Sequence, residues 1–525
     1  MNAIELKLFS SRVSGICDEM GLVLGRTAFS PNIKDRLDFS CALFNADGEL
    51  FAQAAHIPVH LGSMAFAMKF IISAVEWQVG DTLILNDPYL GGTHLPDVTL
   101  VSSVFVEDPE GINRLQGFVV NRAHHANIGC DSPGSMPVSS SLEEEGLLIP
   151  PTLLTRNGQL QAQAIELLGL DRQDCSEEDI QLNGDFAAQA GANELGVRRL
   201  QKLIVDMGVE SYSNCITELN AYGERIAASV IAEIENGLYE FEDFLDDDGQ
   251  GSTQIKLVLA MDVSSEKIEL DFSESSAQVP GNMNCPESVV AAAVFYCFRC
   301  LMPEEAPACA GLFKRFIIKT RPGSIVNAQR PAAVAAGNVE TSMRLVDVVF
   351  GALATALPDR IPAASQGTMN NVAMGYVGSD NEERWDYYET LAGGIGASPS
   401  MDGLDASHSH MTNTLNTPAE SLEMHYPLRI RNYSILSESG GAGLHSGGNG
   451  LFREYEFLQQ AKVSILSERR NNSPWGLKGG LEGSSGKNLL NGESVAAKSS
   501  FDVKAGDKLL IITPGGGGWG SPVED

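Results

Sequence analysis

Residues 86–99 carry a pair of side chains that could bind a metal ion. A predicted strand ends at Asn86, and the following loop, rich in proline and glycine, presents His94 and Asp97. An imidazole and a carboxylate three residues apart can chelate one divalent ion. Taken alone, such a pair is more often a polar group of a loop than a metal site. The prediction therefore depends on further ligands.

Two more stretches could supply those ligands. Residues 121–129 follow another apolar strand and contain His124 and His125, whose rings would point to opposite faces if the strand continued through them. Only one ring could then reach the ion, and we favour His124. Upstream, Asp35 and Asp38 precede a strand, and Asp38 is the better fourth ligand because it abuts the strand. We predict one divalent ion, of manganese, zinc or iron, at Asp38, His94, Asp97 and His124.

Other catalytic signatures are missing from the sequence. It contains no Gly-x-Ser-x-Gly nucleophile elbow and no phosphate-binding loop that ends in Gly-Lys-Ser/Thr. The glycine-rich tail, residues 514–520, has no lysine, so we expect a close-packed turn or a partner contact there. The acidic run 246–248 fails the spacing of a calcium loop, and we expect a solvated turn. Cys297 and Cys300 form a C-x-x-C pair that invites zinc, but their apolar surroundings favour packing in a buried helix.

Composition argues against several classes of function. The chain has 525 residues, with 36 Lys and Arg against 68 Asp and Glu, and a formal net charge of −32. This charge opposes binding to nucleic acid or to anionic lipid. No apolar run is long enough to span a membrane, and Glu5, Lys7 and Arg12 near the N-terminus are not typical of a signal peptide. We therefore expect a cytoplasmic protein, with free thiols because its nine cysteines are an odd number.

Helical and strand-like periodicities alternate along the chain. Apolar spacing predicts helices over residues 4–26, 62–75, 185–207, 211–236, 291–301 and 343–356. Strands are predicted as a hairpin over 39–51 and singly over 82–86, 98–106, 117–122, 255–261 and 267–272. Beyond about residue 395 glycine is frequent and strand-like runs dominate. We expect a mixed α/β (α+β), multidomain fold with a β-rich, glycine-rich C-terminal part, divided into 1–240 with the metal site, 241–395 and 396–525.

Long motifs in a fixed order make the chain resemble the hydantoinase B family: the B subunits of N-methylhydantoinases, two-subunit 5-oxoprolinases and related lactam-opening enzymes. The motifs lie at residues 35–44, 86–99, 124–129, 184–189, 246–249, 337–342, 411–420 and in the glycine-rich tail. Carried over position by position, the family's metal site falls on Asp38, His94, Asp97 and His124. The resemblance leaves open the choices between Asp35 and Asp38 and between His124 and His125.

The resemblance also implies a function. It points to an ATP-dependent cyclic amidase, in which a partner of the hydantoinase A type, an actin-like ATPase, binds ATP and activates a hydantoin, 5-oxoproline or lactam ring. This chain would carry the metal ion that activates water, and His125 would act as general base or as an orienting residue. We expect a hetero-oligomer and a small-molecule cyclic amide as substrate. Two alternatives stay open: a subunit of an ATP-dependent ketone carboxylase, and a non-catalytic scaffold subunit.

Overall fold

The computed structural model describes residues 2–55, 57–60, 62–170, 177–376 and 385–522. Within these residues the helices are α1 (Ala3–Thr27), α2 (Pro31–Lys34), α3 (Ser63–Ile71), α4 (Ala162–Leu168), α5 (Glu177–Met207), α6 (Val209–Ile231), α7 (Glu287–Cys300), α8 (Ser342–Ala356) and α9 (Ala419–His425). The strands of the N-terminal half are β1 (Phe39–Asn45), β2 (Leu50–Ala55), β3 (Thr82–Leu85), β4 (Asp97–Glu107), β5 (Asn113–His124), β6 (Thr152–Arg156), β7 (Gln159–Leu160), β8 (Gly237–Asp247) and β9 (Thr253–Val263). Those that follow are β10 (Ile268–Asp271), β11 (Phe316–Lys319), β12 (Asn371–Tyr376), β13 (Trp385–Glu389), β14 (Leu428–Ile435), β15 (Leu451–Phe457), β16 (Ala461–Leu466), β17 (Lys487–Leu490), β18 (Glu493–Ser494), β19 (Lys498–Val503) and β20 (Lys508–Ile512).

The strands form four sheets. A seven-stranded sheet has the order β2-β1-β5-β4-β3-β6-β7, and a four-stranded sheet follows in the order β11-β10-β9-β8. The C-terminal part contributes most of a four-stranded sheet, β13-β12-β16-β19, and a five-stranded sheet, β14-β15-β20-β17-β18. The predicted fold class, mixed helices and sheets with a β-rich C-terminal part, is confirmed. The boundaries at 240 and 395 stay a prediction; β8 spans the first, and the third sheet takes strands from both sides of the second.

The seven-stranded sheet is buried on both faces. Along β5, Val119 and Ala123 pack with α1 and α5 on one face. Phe118 and Val120 pack with the apolar side of α3 on the other face. Side chains on a strand alternate between faces, so a strand covered on both sides reads as a continuous apolar run. This arrangement holds the adjacent strands β1, β5 and β4 rigidly at the centre of the sheet.

The two C-terminal sheets share one core. Alternate side chains of β12 and β16 face those of β15 and β20 in a single cluster that includes Met374, Ile465, Tyr455 and Ile511. Two stacked antiparallel sheets with interdigitated inner faces are typical of a sandwich. The C-terminal part is therefore a β-sandwich, and its strands β12, β13 and β16 contact the turn Pro133–Ser135 of the N-terminal half.

The glycine-rich tail is packed backbone against backbone. A Cβ atom on Gly516 would lie 2.1 Å from the carbonyl oxygen of Ile395, and one on Gly517 would lie 2.1 Å from that of Trp475. Side chains cannot be accommodated at such distances, which explains the glycine content. The amide groups of these two glycines donate to the carbonyl groups of Gly448 and Ala364. The tail is a close-packed segment.

The acidic run 246–248 is not a solvated turn. Asp246 and Asp248 are buried, with 1% and 0% of their surface exposed. The Asp246 carboxylate accepts hydrogen bonds from the backbone N–H groups of Arg470, Asn471 and Asn472. The solvated-turn prediction was wrong because these donors come from a segment more than two hundred residues further along the chain.

The helices of the described part of the chain do not include one that is both long and apolar enough to cross a membrane.

Candidate metal centre

Three adjacent strands bring the candidate ligands to one end of the first sheet. β4 begins at Asp97 and β5 ends at His124, and these two residues are direct partners in the antiparallel register. The neighbouring strand follows Asp38, whose carbonyl group accepts a 3.0 Å hydrogen bond from the His124 N–H. The loop between β3 and β4 folds His94 back over the strand end, where the Asp97 N–H donates to its carbonyl group. Backbone hydrogen bonds thus fix the positions of all four residues.

The side chains of His94, Asp97 and His124 form a triangle of possible ligand atoms. His94 Nε2, Asp97 Oδ1 and His124 Nδ1 lie 3.3 Å from one another in each of the three pairs. The corners of such a triangle are about 1.9 Å from its centre (3.3/√3), and metal–ligand distances are about 2.0–2.2 Å. The three atoms could therefore hold one ion together. Among the described residues, this is the one group of three or more His, Cys, Asp or Glu side chains that converges in this way.

Burial and charge also favour a cation here. His94 and Asp97 have 0% and 1% of their surface exposed. Burial disfavours the charged form of Asp97, but the neighbouring His94 and His60 outweigh this effect and hold its pKa well below the usual value. Asp97 Oδ1 and His124 Nε2 have no hydrogen-bond partner within the described structure. Buried polar atoms normally have partners, and a cation between the two imidazoles would satisfy this carboxylate oxygen.

Asp38 lies beside the triangle, not in it. Its side chain lines a small cavity that Asp97 and His124 also line, and it is 8% exposed. The preceding residue, Leu37, has a φ of 55°, in the left-handed region that side chains with a Cβ rarely adopt. Asp35, the alternative, is exposed at the end of α2. Of the two carboxylates that the sequence offered, the structure brings Asp38 to the cavity.

His60 is a third imidazole at the site, and the sequence reasoning missed it. Its Nε2 lies 3.4 Å from Asp97 Oδ2, and its Nδ1 contacts the Ser40 hydroxyl at 3.1 Å. The side chain is fully buried and lines the cavity. Its sequence signal was weak, because it lies nine residues beyond the hairpin predicted over 39–51. The strand that it follows is β2, the edge neighbour of β1.

His125 points to the opposite face of the sheet. Its Nε2 lies 2.9 Å from the side-chain oxygen of Gln189 on α5, and its ring contacts Phe186 with 4.7 Å between ring centres. Burial lowers the pKa of His125 below its usual value. The structure therefore does not bring His125 to the cavity, and its catalytic role stays a prediction. Gln189 in turn donates to the carbonyl group of Val98 and the side chain of Asn121, which links α5 to both strands.

Distant segments close the cavity from the other side. The ring of Tyr388 stacks on His124 with 5.6 Å between centres and 7° between planes. Three threonines, one asparagine and several apolar side chains complete the wall, among them Thr390, Thr412, Thr414, Asn338, Met369 and Met411. The asparagine oxygen Oδ1 and the Thr412 hydroxyl have no partner within the described residues. Buried side chains therefore line the cavity from both sides, and two of its polar atoms have no partner among the described residues.

Sequence comparisons place the chain among known proteins. The family model described as hydantoinase B/oxoprolinase matches residues 2–522. An uncharacterised protein of Methanocaldococcus jannaschii is 40% identical over 100% of this chain and 92% of its own length. 5-Oxoprolinase 1 of Arabidopsis thaliana is 39% identical over 99% of this chain but only 42% of its own length. A putative D-/L-hydantoinase B subunit of Pseudomonas sp. strain NS671 is 27% identical over 100% of this chain and 91% of its own.

Two solved structures share the fold. The ATP-dependent caprolactamase of Pseudomonas jessenii superposes with a TM-score of 0.88 at 28% identity, over 99% of this chain and 91% of that one. The nucleotide-free structure of an ATP-dependent acetone carboxylase superposes with a TM-score of 0.84 at 18% identity, over 99% of this chain and 76% of that one. The second similarity shows the fold alone. The chain spans about two fifths of the length of the 5-oxoprolinases that it matches.

Proposed function

Because the chain belongs to the hydantoinase B/oxoprolinase family, we propose that it is the metal-bearing part of an ATP-dependent enzyme that opens a cyclic amide. The family resemblance predicted from the motifs is confirmed by the match over residues 2–522. A relative named as a 5-oxoprolinase and a structural neighbour named as a caprolactamase both support a cyclic amide as substrate.

The observation that carries the proposal is the buried triangle of His94, Asp97 and His124. These three side chains would hold one divalent ion, with Asp38 as the fourth ligand from the same cavity. Mixed imidazole and carboxylate ligands suit manganese, zinc or iron. Such an ion acidifies water and polarises a carbonyl group, the two effects that amide hydrolysis needs.

The chain's own residues can position a cyclic amide in this cavity. Asn338 Oδ1 is a buried acceptor that has no donor among the described residues, and a ring N–H would satisfy it. Ser40 contacts one nitrogen of His60 and so fixes the ring, with the other nitrogen facing Asp97 at the cavity. The buried walls exclude bulk water, which would otherwise compete for an activated amide. His125 fits an orienting role, because its contact with Gln189 links the ends of β4 and β5 to α5.

We further propose that ATP is bound by a second component, of the actin-like ATPase type. A relative is named as the B subunit of a hydantoinase, and the 5-oxoprolinases that this chain matches are more than twice its length. Both facts suit an enzyme in which another chain or region accompanies this one. The sequence itself contains no phosphate-binding loop that ends in Gly-Lys-Ser/Thr.

The test combines metal analysis with reconstitution. The purified chain alone should open neither 5-oxoproline nor a hydantoin with ATP, and activity should appear when the ATPase component is added. His94→Ala should lose the bound metal, measured by inductively coupled plasma mass spectrometry, and the activity of the reconstituted pair. His425→Ala, a change at an exposed histidine, should keep both. A wild-type chain that is metal-free while the pair is fully active would favour a scaffold role instead.

A further inference from the structure

A buried arginine stands behind the cavity wall that faces the candidate ligands. Arg36 is 2% exposed, and its guanidinium donates to the carbonyl group of Tyr388 at 2.9 Å. Its other hydrogen bonds are long: the side-chain oxygen of Asn32 lies at 3.4 Å and the hydroxyls of Thr390 and Thr414 at 3.3 and 3.5 Å. The guanidinium also lies over the ring of Tyr388, with 4.7 Å from Cζ to the ring centre. Its Nε has no partner in the described structure. No carboxylate of the described residues forms an ion pair with it, although a buried charge is normally paired.

The threonines in front of Arg36 have hydrogen atoms to donate. The hydroxyl oxygens of Thr390 and Thr414 both accept from Arg36, and they lie 2.6 Å apart, so that one donates to the other. The hydrogen of the second hydroxyl then has no acceptor among the described side chains. Thr412, beside them on the same wall, has a buried hydroxyl with no partner at all within the described residues. The wall therefore presents two O–H donors to the cavity, with a positive charge behind them.

The balance of charge in the cavity also favours an anion. A divalent ion at the candidate centre would be neutralised by the carboxylates of Asp38 and Asp97, which leaves Arg36 with the ring of Tyr388 but with no carboxylate partner among the described residues. The nearby Glu340 does not supply the missing charge, since burial raises its pKa to about 8 and keeps it protonated at neutral pH. Donor hydroxyls backed by a guanidinium are an arrangement that suits a charged oxygen ligand.

We propose that Thr390, Thr412 and Thr414, backed by Arg36, form a subsite for an anionic oxygen group of the ligand. This inference deepens the proposed function, because the group would be held across the cavity from the metal ligands. Two sources have this chemistry: a carboxylate on the ring of the substrate, and a phosphoryl group on an amide that ATP has activated. Thr412 contacts the ligand, whereas Arg36 acts through the hydroxyls as a positioning residue.

Binding to the purified, metal-loaded chain tests the subsite with three probes. 5-Oxoproline carries both a lactam and a carboxylate, 2-pyrrolidinone carries the same ring without the carboxylate, and inorganic phosphate stands for a phosphoryl group. Calorimetric titration should show that Thr412→Val weakens binding of an anionic probe about tenfold or more, the effect of losing a hydrogen bond to a charged group. The affinity for 2-pyrrolidinone should not change.

Stability measurements and three further variants separate binding from folding. Thr412→Val removes a hydroxyl that has no partner within the described residues, so its thermal stability should not fall below that of the wild type. Arg36→Met should weaken binding of the same anion. Arg36→Lys should recover part of the affinity for that anion because the charge is kept. Thr152→Val makes the same change at a buried threonine of β6 and should leave all three affinities unchanged.

The outcomes identify the source of the anion or overturn the subsite. Selective loss of 5-oxoproline binding assigns the wall to a substrate carboxylate, and selective loss of phosphate binding assigns it to a phosphoryl group. The subsite is overturned if neither anion binds or if Thr412→Val changes the affinity for neither of them. It is also overturned if the variant lowers the affinity for all three probes equally. Since these titrations use neither ATP nor a partner, ring-opening activity that fails to appear would count against the proposed function alone.

Discussion

At the scale of single residues, Glu340 is a buried carboxyl group that the fold keeps protonated. Its Oε1 accepts from the Met369 N–H at 3.0 Å and from the side-chain amide of Asn371 at 2.7 Å, while its Oε2 has no partner within the described residues. Burial raises its pKa to about 8. Asn371 also accepts from the hydroxyl of Tyr388, the ring that stacks on His124. The protonation of Glu340 is therefore linked through two side chains to the cavity wall.

Stability should fall with rising pH because of Glu340. The unfolded chain releases this proton near pH 4.5, whereas the folded chain keeps it until about pH 8. The contribution of this group to the free energy of unfolding is thus complete below pH 4.5 and is lost as the pH rises to 8. The loss amounts to about a few kcal/mol. Glu340→Gln cannot titrate, so the wild type should lose stability relative to this variant between pH 5 and pH 8.5 in urea denaturation.

The exposed Glu420→Gln serves as the control for that series, since its carboxyl group is in water in both states. If the free energies of unfolding of the wild type and Glu340→Gln differed by the same amount at pH 5 and pH 8.5, Glu340 would be ionised in the folded protein.

The candidate site was predictable from sequence where a ligand lies at the end of a strand or in the turn beside it. His94, Asp97 and His124 are found in this way, because strand ends and turn residues leave a local signal. The hairpin predicted over 39–51 already places β2 beside β1, but His60 lies five residues beyond Ala55, the last residue of β2, so no strand end marks it. Asp246 was misread for a related reason: its donors, the N–H groups of residues 470–472, are adjacent only in the folded chain.

At the scale of elements, the loop between β3 and β4 is clamped by its neighbours. Gly91 has a φ of 97°, and a Cβ atom there would lie 2.4 Å from the Cα of Ala67 in α3. Its carbonyl group accepts from the Arg122 guanidinium of β5 at 3.2 Å. The loop that carries His94 is thus held between a helix and a strand.

Gly91→Ala should therefore disturb both stability and metal binding. Left-handed backbone costs an alanine about 1–2 kcal/mol, and displacement of α3 adds about 1–3 kcal/mol. Gly158→Ala is the matched control, since Gly158 has a φ of 74° but no atom within 4 Å of an added Cβ. Chemical denaturation should show a larger loss for Gly91→Ala, and metal titration should show weaker binding for that variant alone. Equal losses of stability in the two variants would mean that α3 moves away from the added methyl group at no measurable cost.

Element types were predictable wherever one periodicity dominates. The helix predicted over 4–26 is observed as α1, whose N-terminus is closed by reciprocal hydrogen bonds between Asn2 and Glu5. The helix predicted over 211–236 ends earlier, at Ile231, because β8 begins at Gly237. That strand alternates aromatic and acidic residues, and its pairing with β9 supplies a partner that no local pattern reveals.

At the scale of the whole molecule, a buried network of charges joins the middle of the chain to the C-terminal sandwich. Arg344 of α8 bonds Asp243 of β8 at 3.2 Å and Glu468 at 3.1 Å. Lys498 of β19 bonds the other oxygen of Glu468 at 2.5 Å. All but Asp243 are 0% exposed in their side chains. Burial raises the pKa of Glu468, so its charge depends on both cations.

Lys498→Met should destabilise the whole fold. It leaves the buried Glu468 with one cationic partner in place of two, and breaking a buried ion pair costs about 3–5 kcal/mol. The double variant Lys498→Met/Glu468→Gln should cost less than the sum of the single variants, since it removes the stranded charge. Lys319→Met, which breaks an exposed pair with Glu269, should cost less than about 1 kcal/mol. If Lys498→Met cost no more than Lys319→Met in urea denaturation, the network would not hold the parts together.

The pairing of Asp97 with His124 specifies the register of β4 and β5, which the apolar residues of β5 cannot do. Both faces of that strand are buried, so a slip by one residue would still bury hydrophobic side chains on each side. The slip would, however, turn His125 toward the candidate centre and His124 toward α5. Only the native register places both a carboxylate and the correct imidazole beside His94. A bound ion would therefore favour the native register of the sheet. It would stabilise one alignment of β4 and β5 among several that bury a similar number of hydrophobic side chains.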